Sequence, residues 1–387
     1  MKLHLFNPEN DLALGLNCRH YTPPPHAAAI HRAGALLPMW WAEETDLILA
    51  PECLREEAGR LAARFGLNGQ VCGDVSAFAG LNGTAPWGWS FDARRQFLCA
   101  GVSPEILPTD SAIDRMRLLS HRRMSIEIIN RLDGHYPIAI ETDNPDRVVE
   151  LEKSHPGCFI KSPWSGSGRG VFCARSLDSG ALHRRAEGII HRQGSVMVEK
   201  GLDKVADFAV LFHCGEHRAE FMGLSLFQTE ARGMYSGNLV APQGLLWDRL
   251  GQFGLTAELE RLIAQLEPIL TALIAGDYDG WAGIDMMVYR SADGQLEIMP
   301  CVELNLRMTM GVAAMKIAQR LGCRDIRFLG WEHRASGDDN TEKEASTNAG
   351  SLVILPPSDG FTLRLLSWEC GSSMAMESHG KAGSGTT

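Results

Sequence analysis

The chain opens with a short apolar run, Leu3-His4-Leu5-Phe6, that stops at Asn7-Pro8-Glu9-Asn10-Asp11. A second run, Asp46 to Ala50, stops at Pro51 and is followed by the helical stretch CLREEAGRLAARFG, closed by Gly66. This β/α alternation predicts a small open α/β unit, in which ligands sit beyond the carboxyl ends of the strands. That geometry places Glu9, Asn10 and Asp11 near a site. As an ordinary turn that caps a helix, the same residues would serve only the fold.

Helical periodicity returns after residue 109. Ser111 and Asp114 spell a capping box that leads into a helix to about Leu132, and Asn144-Pro145 starts another that ends near His155-Pro156-Gly157. Two β-like runs, 158–160 and 171–173, then flank a tip rich in Gly and Ser and predict a hairpin. A helix around 180–192 leads to a strand at 195–200. Beyond it the pattern is mainly antiparallel: ADFAVLF, a tight CGEH turn, RAEFMGLSLF, a long helix at about 257–275, a strand pair and a helix near 311–321. Residues 335–350 and the tail from about 371 are polar and aperiodic, which predicts mobile segments. Short strands at Ser351–Leu355 and Phe361–Leu366 lie between them.

Composition narrows the class. A chain of 387 residues, 45% hydrophobic, buries a large core and divides into two or three units. The net charge of -10 offers polyanions no general attraction, so nucleic acid is not expected as a partner. Ten cysteines without a CxxC pair, and a start lacking the apolar core of a signal peptide, predict reduced thiols and a cytoplasmic protein. No window approaches eighteen unbroken apolar residues, so no membrane partner is expected.

The candidate chemistry lies in the strand pair WAGIDMMVYR and LEIMPCVELNLRM, separated by the turn SADG. Alternation sets Asp285 opposite Ile284 and Met286, while Glu303, Asn305 and Arg307 share one face. Antiparallel pairing then presents two carboxylates and an amide oxygen together, a donor set suited to Mg²⁺. Arg307 beside them suits a phosphoryl group or a carboxylate. A plain solvated hairpin face is the competing reading. Lys161 precedes Ser165-Gly166-Ser167-Gly168-Arg169-Gly170, which has neither the P-loop ending nor the dinucleotide spacing. It reads as a flap whose backbone N–H groups can approach phosphates, with Lys161 as a nearby point charge.

The succession FIKSPWSGSGRGV, VMVEKGLDKVADFAV, GIDMMVY and CVELNLR resembles the ATP-grasp superfamily, in order, over about residues 110–322. The resemblance implies an α/β (α+β overall) chain: an N-terminal open α/β pre-ATP-grasp domain (1–110), a small lobe with the flap (111–195), a large lobe with antiparallel sheets and the metal site (196–332), and a largely flexible C-terminal segment (333–387). It implies ATP and Mg²⁺ as cofactors, with two ions expected and Mn²⁺ as a substitute. By the same resemblance Lys161 contacts the phosphates, Gly166, Gly168 and Gly170 form the flap with Ser165, and Glu199, Lys200 and Leu202 hold adenine. Asp207 reaches the ribose, Asp285, Glu303 and Asn305 bind the metal, and Arg307 steadies an acyl phosphate. The family's second lysine is replaced by Arg115 or Arg117 on the preceding helix, with Arg117 taken as the phosphate contact. Arg122 and Arg123 read as facing solvent.

The implied activity is an ATP-dependent, ADP-forming carboxylate–amine ligase acting through an acyl phosphate, with a small carboxylate and an amine as substrates. A kinase using the same site and a non-catalytic ATP-binding module are the alternatives, and a homodimer is the open alternative for assembly. Glu230 to Asn238 reads as a loop over the acceptor, with Arg232, Tyr235 and Asn238 joining Glu9 and Asn10 as substrate candidates. An Arg94, Arg95 and Arg232 cluster could bind an acid. His213-Cys214-Gly215-Glu216-His217 spells an inverted zinc-protease motif, but strand-like flanks predict a hairpin turn there. Trp40-Trp41 and Trp87-Gly88-Trp89 suit either a pocket wall or core packing.

Overall fold

The computed structural model describes residues 1–76, 78–166, 168, 170–230, 234–333 and 351–368. Among them sixteen strands form three sheets. The first is parallel and built from β1 (Lys2–Leu5), β2 (Leu47–Leu49), β3 (Gln70–Cys72) and β4 (Gly83–Pro86) in the order β3-β2-β1-β4. The second joins β5 (Ile140–Thr142), β6 (Phe159–Lys161), β7 (Val171–Cys173) and β8 (Val196–Glu199) in the antiparallel order β5-β8-β6-β7.

The third sheet is large and antiparallel. It contains β9 (Asp203–Cys214), β10 (Ala219–Thr229), β11 (Tyr235–Val240), β12 (Gly280–Arg290), β13 (Leu296–Asn305), β14 (Arg327–His333), β15 (Leu352–Ser358) and β16 (Phe361–Ser367), ordered β13-β12-β9-β10-β11-β14-β16-β15. Each face of this sheet has its own partner, as strict alternation requires. Phe208, Val210 and Phe212 of β9 point with Ile284, Met286 and Val288 of β12 into one core. The helix Thr256–Ile274 closes that core with Leu259, Leu262, Ile263, Leu266 and Leu270, a stripe at three- and four-residue spacing. Each such buried side chain contributes about 1.5–3 kcal/mol.

Ala209 and Leu211 face the other way. They join the helix Met310–Leu321 and, in one continuous cluster, Phe6, Leu37, Trp40 and Trp87 of the parallel unit and Leu363 and Leu365 of β16. The N-terminal unit is therefore packed on the sheet face to which the last strand pair adds Leu363 and Leu365. Arg32 Nε donates to Asp359 Oδ1 (2.8 Å), tying the β15–β16 turn to the helix Pro25–Ala33.

Several expectations are corrected. The helix expected from Ser111 to Leu132 is two helices, Asp110–Leu119 and Met124–Ile129. Its cap is Thr109, whose Oγ1 accepts from the Ala112 N–H (3.2 Å). Tyr235 to Asn238 are strand residues of β11 paired with β10, not a loop. Residues 335–350 and the tail from 371 lie outside the described residues. The His213–His217 motif is the β9–β10 turn, closed by the Gly215 N–H donating to Arg218 O (2.9 Å), with Glu216 and His217 exposed. Among the described residues no helix is long and apolar enough to cross a membrane.

Candidate active site

A cavity of about 830 Å³ lies between the three sheets, within the roughly 300–1,000 Å³ usual for small-molecule sites. Its floor is built as the alternation requires. Asp285 lies directly opposite Glu303 in the β12–β13 register, and Gly283 opposite Asn305. Both carboxylates line the cavity near its floor. Burial, and then the neighbouring Glu303 charge, push Asp285 up to about 7. Burial also raises Glu303, against the attraction of Arg122. Two oxygen-donor groups that raise the cost of each other's ionisation fit a divalent cation, which would relieve both. Among the described residues no three His, Cys, Asp or Glu side chains gather to hold a metal alone. The remaining ligands would come from phosphates and water. Asn305 Oδ1 accepts from Arg307 Nη2 (2.8 Å) and keeps a second lone pair.

Arg307 is fixed from two sides. Its Nε donates to Asp11 Oδ2 (2.9 Å) and Oδ1 (3.1 Å), its Nη2 lies 2.7 Å from Asp11 Oδ2, and its Nη1 donates to Met308 O (3.1 Å). Burial works to lower the Arg307 pKa, but the carboxylates of Asp11, Glu303 and Asp285 together outweigh it and raise it. Asp11 sits on the first turn of the helix Asn10–Leu16, which follows β1 as an α/β unit dictates. It also reaches the flap: a Cβ on Gly166 would lie 2.9 Å from Asp11 Oδ2, so no larger residue fits there.

Lys161 ends β6, buried, and pairs with Glu199 at the end of β8, two strands that are direct neighbours. Ser165, Gly166 and Gly168 line the cavity above it. Gly170 stands back from the lining; its φ of 76° and a Cβ position 2.8 Å from Ser162 Oγ make it a turn glycine that closes the stem. Glu199, Lys200 and Leu202 continue the lining with Asp207. Asp207 Oδ2 is held by Lys204 Nζ (2.6 Å) and Thr229 Oγ1 (2.7 Å).

The second phosphate contact expected at Arg117 is displaced. Arg117 Nε donates to Leu14 O (2.7 Å), and its guanidinium lies 3.7 Å from the Trp164 ring centroid, away from the cavity. Arg115 pairs with Asp277 at the surface. Arg122, expected to face solvent, is buried and lines the cavity. Its Nη1 lies 2.9 Å from Glu303 Oε2, Nε donates to Ser162 O (2.9 Å) and Nη2 to Ser165 Oγ (3.0 Å). The helix break between Leu119 and Met124 turns it inward, and the Arg122 N–H bonds Pro163 O (3.1 Å), locking the break onto the stem of the flap.

The substrate candidates separate. Glu9, Tyr235 and Asn238 line the cavity. Tyr235 and Asn238 are hydrogen-bonded to each other, and Asn238 Nδ2 donates to Ser225 Oγ (2.6 Å). Asn10 is not on the wall. With its amide nitrogen facing inward it donates to Gly88 O (2.9 Å), Trp89 O (3.1 Å) and Ser90 Oγ (3.2 Å), a purely structural tie. Arg94 and Arg95 are engaged by Asp110 and Asp92 and do not line the cavity; Arg232 lies outside the described residues. Trp87 lines the cavity, whereas Trp40 is packed on Phe65 in the core.

No protein-family model and no curated sequence matches the chain. Solved structures do. N5-carboxyaminoimidazole synthetase from Staphylococcus aureus aligns at a TM-score of 0.50, with 10% identity over 94% of this chain and 92% of that one. N5-carboxyaminoimidazole ribonucleotide synthetase from Thermus thermophilus aligns at 0.49, with 16% identity over 95% and 93%. An ATP-grasp superfamily protein from Archaeoglobus fulgidus aligns at 0.47, with 11% identity over 95% and 100%. The chain shares the fold of the Staphylococcus aureus synthetase, and at 10% identity the likeness carries the fold alone.

Proposed function

We propose that the protein is an ATP-dependent, ADP-forming ligase that joins a carboxylate to an amine through an acyl phosphate. The observation that carries this reading is Arg307, fixed by Asp11 and Asn305 beside the Asp285–Glu303 pair in the cavity that also contains Lys161 and the glycine flap. A site that only bound nucleotide would need no buried arginine beyond the carboxylates.

Lys161, Arg122 and the flap backbone would hold the phosphates, and Glu199, Lys200 and Leu202 the base. Asp285 and Glu303, with the Asn305 oxygen, would hold Mg²⁺, which when bound supplies charge neutralisation to the phosphate oxygens. Arg307 donates from a fixed plane towards the oxygen of the acyl phosphate, and fixed donors stabilise developing charge without reorganising. The substrate carboxylate attacks the terminal phosphorus and ADP leaves. The amine, having lost its ammonium proton to solvent, attacks the acyl carbon; the C–N bond forms, the C–O bond to phosphate breaks, and a second nitrogen proton leaves with the phosphate. The chain's contribution is position and charge rather than a covalent enzyme intermediate.

The test is incubation of the protein with Mg-ATP and pools of amino acids and small carboxylic acids, reading ADP, phosphate and new masses together. Phosphate release that needs both an acid and an amine, with a condensed mass, is the expected result. A phosphorylated product formed without amine would replace the ligase with a kinase. EDTA should abolish turnover, and Mg²⁺ or Mn²⁺ should restore it.

A further inference from the structure

The cavity extends past Arg307 into a region walled by the N-terminal unit and the end of the large sheet. Phe6, Ile30, Trp87, Trp331 and Phe361 make its apolar surface. Phe6 packs edge-on against Trp87, centroids 5.0 Å apart, and Trp331 against Phe361 at 6.4 Å. Into this surface is set one carboxylate, Glu9, whose side chain is 3% exposed. His31 Nδ1 lies 2.8 Å from Glu9 Oε1. Glu9 Oε2 is buried with no hydrogen-bond partner.

Buried carboxylate oxygens are normally satisfied, so an orphan on a cavity wall is a vacancy for a donor. Arg307, the strongest cation at this end, is held by Asp11 and Asn305 and not by Glu9. Tyr21 Oη is likewise buried and unpartnered; burial, then the Glu9 charge, push its pKa up to about 12, which keeps the phenol neutral. With Asp11 paired to Arg307, Glu9, met by His31 at Oε1 alone, sets an unpartnered acceptor oxygen inside an aromatic and branched wall. That combination attracts an ammonium and repels a carboxylate.

We propose that this end of the cavity is a subsite for an amine that enters as a cation carrying an aromatic or branched apolar group, its ammonium bonded to Glu9 Oε2. The subsite's role as the acceptor site rests on the ligase reading; the binding preference does not.

The test is calorimetric titration of the full chain, with and without Mg-ADP, using two size-matched probes, 2-phenylethylamine and 3-phenylpropionate. The wild-type protein should bind the amine at least 10-fold more tightly than the acid. Glu9→Gln, which keeps the shape and removes the charge, should erase that preference, while Phe361→Leu should weaken the amine and leave the preference. Equal wild-type affinities, or an unaltered preference in Glu9→Gln, would overturn the proposal. The wild-type comparison decides even where a variant fails to fold. A separate assay, trapping acyl phosphate with hydroxylamine in place of the amine, reads the ligase chemistry alone, so a failure there leaves the amine preference to stand or fall on its own measurement.

Discussion

Arg307, just beyond β13, grips Asp11, just beyond β1, through two guanidinium nitrogens at 2.7–3.1 Å. The pair joins the parallel N-terminal unit to the large sheet at the point where the proposed acyl phosphate would form. Breaking a buried pair strands a charge, so the partner as well as the arginine should matter. Asp11→Asn should lower turnover about 10-fold with little change in ATP affinity, and Arg307→Lys, which loses the planar fork, about 10²-fold. Steady-state kinetics with ATP and acid varied separately would check this; an Asp11→Asn enzyme at full rate would refute the role of the pair.

Lys161→Ala and Glu303→Gln each remove a fixed electrostatic contact from the cavity. Each should cost roughly 10²-fold in turnover, the scale of losing one preorganised donor or charge. Purified variants with unchanged Tm and near-normal rates would remove these residues from the site.

Arg122 and Arg117 should behave as opposites. Arg122→Met strips the cation from Glu303 and from the flap stem, and ATP affinity should fall at least about 10-fold. Arg117→Met loses stacking on Trp164 and should lower Tm, by an interaction worth about 0.5–2 kcal/mol, with ATP affinity preserved. Nucleotide titrations and thermal melts on both variants separate the two roles.

His121 adjoins Arg122 in the helix break, and its Nδ1 accepts from the Arg123 N–H (3.0 Å). Its ring meets Trp164 edge-on, centroids 4.5 Å apart. Burial, then the Arg123 charge, lower its pKa to about 4. The native state thus favours the neutral ring: the stabilisation is present above the unfolded value near 6.5 and is lost as pH falls from there towards 4. Wild-type stability should fall over that window by on the order of 1–3 kcal/mol more than that of His121→Asn, read by denaturant unfolding at each pH. Parallel curves for the two proteins would exclude His121 as the source.

Much of this arrangement is legible in the sequence because it is local. The Asp285–Glu303 pairing follows from two-residue alternation and a compact turn, and the flap from a glycine-rich stretch between two apolar runs. Arg122 is not legible for the opposite reason. Nothing in its neighbourhood distinguishes it from Arg123, whose guanidinium is half exposed and bonds Glu141. Only contacts to Glu303 and to the flap stem, distant in the chain, turn one inward. Asn10 misleads in a similar way: Asn10 and Asp11 sit side by side, but the helix turns Asn10 onto the 88–90 backbone and Asp11 onto Arg307. The strand at 235–240 is obscured by its polar start, which becomes a wall of the cavity once paired with β10.

The order of the large sheet draws the two ends of one cavity from opposite margins of a continuous structure. Asp285 and Glu303 stand on the strand pair at one edge, while Trp331 and Phe361 come from strands towards the other. Rearranging β14 to β16 would therefore reshape the apolar end without passing through β12 and β13. A fold laid out in this way can diversify: descendants could change what they accept by altering one margin of the sheet while inheriting the nucleotide chemistry intact at the other.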